Sequence, residues 1–175
     1  LQPLPAATKE VETLQKAYKG HFAYNLDASE KMIKKLADDE VKFKLAVSLH
    51  SAIDEIRSKI MPFSAHFPLA ELRESLEYWY RKTKSKISYE YVVWKGINDD
   101  KNAIAALVKF CKYVPCKVNL IEYNPIDDGE FQQASQESIN AYIQALEAIG
   151  IVVKVRRSRG KDIDAACGQL ANKEA

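Results

Sequence analysis

The residue types most suited to chemistry gather near the carboxyl end, in the run Arg156-Arg-Ser-Arg-Gly-Lys-Asp-Ile-Asp-Ala-Ala-Cys-Gly-Gln-Leu170. Arg156, Arg157 and Arg159 are fork-shaped cations suited to two-pronged contacts with phosphate. After Gly160 the charge reverses, and Cys167 follows among the small residues Ala165, Ala166 and Gly168, which let another molecule approach the thiol. A basic clamp beside an accessible sulfur suggests an anionic partner and sulfur chemistry. Two plainer readings stand beside it: an arginine cluster can be a solvated face, and a lone cysteine can be a small core residue.

Other signatures are weaker. The chain has no glycine-rich phosphate loop, no paired-cysteine zinc spacing and no helix with His at i and i+4. His21, His50 and His66 are scattered, and Cys111-x₄-Cys116 lies across a helix-to-strand connection, so no metal site is expected. With 175 residues, 47% hydrophobic and 29% charged, the composition is that of one soluble globular domain. A net charge of +2 means that nucleic-acid binding must come from local clustering. Three cysteines without disulfide-like spacing fit a reducing compartment. The opening residues carry no signal-peptide pattern, and no apolar run reaches the roughly 20 residues of a membrane span. A cytoplasmic location, with no membrane contact, is the expectation.

The elements that must position these residues alternate. Residues 1–29 read as a separate, unassigned segment, with a short helical stretch near 9–18 and the aromatics Tyr18, Phe22 and Tyr24. From there the pattern predicts a helix over 30–38 behind Ser29 as N-cap, and a strand over 42–49 that ends in Ser48-Leu49-His50. Helices follow over 54–60, stopped by Pro62, and over 69–81 behind Pro68. A strand over 87–94, a helix over 102–111 and a strand over 116–121 come next. A helix over 135–149, stopped by Gly150, leads to a buried strand over 151–155.

Four strands separated by helices indicate an α/β chain with a mostly parallel sheet. A closed (β/α)₈ barrel takes about 250 residues, so residues 30–175 are expected to form a partial TIM-like barrel or a small open sheet. In either architecture ligands gather at the carboxyl ends of strands. That singles out Ser48 and His50, Trp94 with Asn98, Asn119 with Asn124, and the arginines before Cys167.

Several runs then occur together in one order: Val47-Ser-Leu-His-Ser51, Asp54-Glu-Ile-Arg-Ser-Lys-Ile-Met-Pro62, Glu90-Tyr-Val92, Gly96-Ile-Asn98, Pro115-Cys-Lys-Val-Asn-Leu-Ile121, Asn124-Pro125, and Arg156 through Leu170. Together they resemble the carboxyl-terminal half of the radical S-adenosylmethionine (SAM) RNA methyltransferases that methylate C2 of adenine in 23S rRNA and tRNA. The resemblance covers about 31–171. A sister family that methylates adenine C8 shares much of the pattern.

The resemblance implies a radical-SAM-type partial barrel and a methyltransferase. It implies that Cys167 is the cysteine that becomes S-methylated and then carries the methyl group to the base. It implies SAM contacts at Ser48, Leu49, His50 and Asn124, although a strand-end histidine and an Asn-Pro turn opener are also ordinary structural features. Arg156, Arg157 and Arg159 are read from their own chemistry as RNA-phosphate contacts. The family's Cys-x₃-Cys-x₂-Cys motif is missing, so its [4Fe–4S] cluster is not expected on this chain. Missing too are the family's Gly-Glu pair, its upstream acidic residue and its adduct-resolving cysteine, and Asn25-Leu-Asp-Ala-Ser29 stands where a Ser-Thr-Ser-Gly-like loop belongs. The chain is therefore expected to be part of a longer enzyme and to have no turnover alone. The implied partners are 23S rRNA and tRNA, with a homo-oligomer through exposed sheet edges as a further expectation. The competing assignments are a non-catalytic RNA-binding module and the adenine-C8 methyltransferase.

Overall fold

The computed structural model describes residues 23–26, 30–39, 41–124 and 131–156. The expectations placed on 9–18, Ser29, Arg157, Arg159 and Cys167 lie outside these residues. Among the described residues no helix is long and apolar enough to cross a membrane.

The α/β alternation holds, with one more strand than expected. Strands β1 (Ala23–Leu26), β2 (Lys44–Ser48), β3 (Ile87–Val93), β4 (Cys116–Glu122) and β5 (Val152–Arg156) form one sheet in sequence order. All neighbouring pairs are parallel. Helices α1 (Glu30–Asp38), α2 (Asp54–Ile60), α3 (Leu69–Thr83), α4 (Lys101–Cys111) and α5 (Gln136–Glu147) lie between them, with a 3₁₀ turn over Pro62–His66. Because the strand order never reverses, right-handed crossovers stack the connecting helices on one face. This is the arrangement of a partial barrel.

β1 is the strand that sequence reading misses. At four residues, Ala-Tyr-Asn-Leu is too short to show alternation, and its pairing with β2 supplies the order that its own pattern does not. The last strand needs a second correction. It is an edge strand among the described residues and is not buried: Val152 is 58% exposed, whereas Val153 and Val155 pack on the core. A β-branched run reads the same whether one face or both are covered.

Local chemistry accounts for the helix boundaries. Asp100 caps α4 by accepting from the Ala103 amide at 2.7 Å, and Ser135 caps α5 by accepting from the Ser138 amide at 3.1 Å. Asp54 reaches across to the first amide of α3, that of Leu69, at 2.9 Å. Lys84 ends α3 in the left-handed region, φ 54°, and its amide donates to the Tyr80 carbonyl.

The pleat sorts the strand residues onto two faces. Leu45, Val47 and Leu49, Tyr89, Tyr91 and Val93, and Val118 and Leu120 point into the core shared with Leu72, Leu76, Trp79 and Leu107. The opposite face is mixed, with Val92 and Ile121 beside its polar residues. There the register sets Ser48 beside Glu90, Glu90 beside Asn119 and Asn119 beside Lys154.

Candidate functional site

At its carboxyl end β2 is hooked onto β3. The amides of Leu49 and His50 both donate to the Glu90 carbonyl, at 3.0 and 3.4 Å. The chain then turns sharply: His50 adopts φ 53°, a left-handed conformation uncommon outside glycine, although histidine enters it more readily than most residues. The Ser51 amide donates back to the Leu49 carbonyl at 2.6 Å, and the Ser51 hydroxyl accepts from the Ile53 amide at 3.1 Å. Arg57, buried on α2, braces the turn from below. Its Nε donates to the Leu49 carbonyl at 3.3 Å and its Nη1 to the Phe67 carbonyl at 3.1 Å.

His50 is held on three sides. Its carbonyl accepts from Asn98 Nδ2 at 2.7 Å, its Nδ1 accepts from the Val92 amide at 3.1 Å, and its ring meets Trp94 edge-on at 5.7 Å. Trp94 in turn packs against Tyr123 at 6.0 Å and Phe131 at 5.4 Å. Tyr123 directly precedes Asn124, which is half-buried just past the end of β4. Through Trp94 the structure thus joins the ends of β2, β3 and β4, where Ser48, Leu49, His50 and Asn124 were expected to lie together. Leu49 can offer a ligand little, because its side chain is fully buried in the core and its amide and carbonyl are already engaged.

Arg156 points along the mixed face. Its Nη1 lies 3.4 Å from Glu90 Oε2, and Asn119 Nδ2 donates to the other oxygen of the same carboxylate. Any phosphate at Arg156 therefore shares it with Glu90. Glu90 and Arg57 are the residues that sequence reasoning did not single out at this site, whereas Asn98 was marked only by its place at a strand end. Glu90 carried a signal, as an acidic residue inside a β-rich run. Arg57 carried none, since a basic residue on a short helix looks like surface.

The chain is 86% identical over 145 residues to the probable dual-specificity RNA methyltransferase RlmN of Flavobacterium johnsoniae, a match spanning 83% of this chain and 42% of that protein. It is 83% identical over 144 residues to the protein of the same name from Flavobacterium psychrophilum, spanning 82% and 42%. The crystal structure of a radical SAM methyltransferase from Sphaerobacter thermophilus superposes with a TM-score of 0.79 at 37% identity, over 84% of this chain and 43% of that one. Over these residues the chain matches part of the radical SAM RNA methyltransferases. A domain of pyruvate-formate lyase-activating enzyme from Bacteroides vulgatus shares the fold alone, with a TM-score of 0.63 at 18% identity. No family model matches. The chain spans about two fifths of the length of the curated relatives it matches, at 42% of each Flavobacterium protein.

Radical SAM chemistry needs a [4Fe–4S] cluster held by cysteine thiolates, and the described cysteines do not fit one. Cys111 and Cys116 are buried in the core on the helix side of the sheet, and Cys116 Sγ donates to the Cys111 carbonyl at 3.6 Å. The hydrogen bond between the thiols, together with burial, pushes Cys111 far above the ordinary thiol range. Among the described residues no group of His, Cys, Asp and Glu could hold a metal ion.

Proposed function

We propose that this chain supplies the SAM-binding strand ends and the methyl-carrying cysteine of an enzyme that methylates adenine C2 in 23S rRNA and tRNA. In this reading Ser48, His50 and Asn124 contact SAM with their side chains, and Leu49 does so only through the backbone turn it shapes. Cys167 receives a methyl group on sulfur and passes it to the base. Arg157 and Arg159, with Arg156 shared with Glu90, bind RNA phosphates. The chain holds no cluster of its own and has no turnover alone. The sheet edges β1 and β5 pair with further protein.

The observation that carries the reading is the junction of His50, Trp94 and Tyr123, which gathers three strand ends into one site at the end of the sheet where parallel α/β folds bind ligands. Titration calorimetry of SAM into the chain is the test. Saturable binding that weakens about tenfold, the worth of one good hydrogen bond, in His50→Ala and Asn124→Ala is expected. RNA binding that depends on Arg157 and Arg159, with no SAM affinity, would replace this reading with the RNA-binding module.

A further inference from the structure

The buried amide of Asn98, just past the end of β3, has a structural part in the site. Its side chain is fully buried and completely engaged: Oδ1 accepts from the Trp94 amide at 2.7 Å, and Nδ2 donates to the carbonyls of His50 and Val92 at 2.7 and 2.9 Å. Its own carbonyl accepts from the Tyr142 hydroxyl of α5 at 2.6 Å. Tyr142 lies 3.1 Å from the Tyr91 hydroxyl, which must then be the donor of that pair. One residue therefore ties the end of β2 and the end of β3 through its side chain, and a helix through its main-chain carbonyl, to a single point.

What it holds is the geometry of His50. The Val92 amide is a donor and nothing else, so the Nδ1 it contacts carries no proton, and the proton of the neutral ring lies on Nε2. Any hydrogen bond that this imidazole donates goes out through Nε2. The left-handed backbone at His50 has to be held in place, because that conformation is unfavourable in a residue with a Cβ. The Asn98–His50 carbonyl contact and the Val92–Nδ1 contact do this together, and Asn98 also fixes Val92 through its carbonyl.

We infer that Asn98 is a positioning residue that fixes His50 as an Nε2–H donor toward an acceptor atom of SAM, so that His50 serves as an oriented donor and not as a proton-abstracting base. This rests on the reading of the strand ends as the SAM site.

Long-range ¹⁵N–¹H NMR of the histidine-labelled chain tests it, the His50 signals being assigned by their loss in His50→Gln. The wild type should show the Nε2–H tautomer. Asn98→Ala should convert it to a mixture of tautomers and weaken SAM binding about tenfold. Tyr142→Phe, which removes one hydroxyl and leaves the ring in the core, should shift both readouts in the same direction by less, and it serves where Asn98→Ala does not fold. An Nδ1–H tautomer in the wild type overturns the inference, as does an unchanged tautomer and SAM affinity in both variants. The Nε2–H tautomer without SAM binding by the wild type would instead remove the SAM-site reading and the ligand half of the inference, leaving only the hold of Asn98 on His50.

Discussion

Arg57 shows how a buried cation can serve a backbone turn. Two carbonyls, those of Leu49 and Phe67, take hydrogen bonds from its guanidinium, the first of them in the core. Arg57→Leu should lower stability by about 3 kcal/mol, the worth of losing hydrogen bonds from a buried charged donor, read as a lower urea midpoint. A loss under about 0.5 kcal/mol would mean that the turn stands without it. The sequence made Ser48, His50 and Asn124 legible, because strand ends and a family pattern both point to them. It left Arg57 and Glu90 unassigned, because their roles depend on partners 8 or more residues away, reached only when strands pair and helices cross.

Helices were easier to read than strands. Their period repeats over several turns, and the sequence boundaries of α1 and α2 agree with the structure. A four-residue strand such as β1 has no room for a repeat, and the exposure of β5 depends on what lies beside it. The packing of α3 gives a sharp test. Trp79 is fully buried and its ring stacks on Phe43 at 6.2 Å, so Trp79→Ala should cost about 3–5 kcal/mol. Thermal unfolding checks this, and a loss near 1 kcal/mol would show that the helix layer can collapse into the gap. The turn from α5 into β5 gives another. Gly150 sits at φ +77° with nothing within 4 Å of an added Cβ, so Gly150→Ala should cost about 1–2 kcal/mol through backbone conformation alone.

Taken as one folded body, the protein buries hydroxyls that water would otherwise solvate. Burial pushes Tyr91 up to about 12 from its ordinary 10.0, and it pushes Tyr89 and Tyr142 upward as well. A tyrosine whose folded value is raised contributes its stability in full below the unfolded value and loses it as pH rises toward the folded value. Stability should therefore hold up to about pH 10 and fall between 10 and 12. Urea unfolding with tyrosinate absorbance across that window measures it, and flat stability there would mean that these hydroxyls meet solvent. The cysteines make a prediction of the same reach. With Cys111 and Cys116 committed to the core, anaerobic incubation with iron and sulfide should leave no cluster on the chain, whereas about four irons per chain would require the core to open. We propose that this stretch is a working part of an adenine methyltransferase. Its most direct test is to graft residues 31–171 into the Flavobacterium johnsoniae relative, 86% identical over 145 residues, and to seek 2-methyladenosine in rRNA and tRNA by mass spectrometry. Methylation by the graft is expected, and none once Cys167→Ala is introduced; methylation that survives that change, or a graft that folds and makes none, would contradict the proposal.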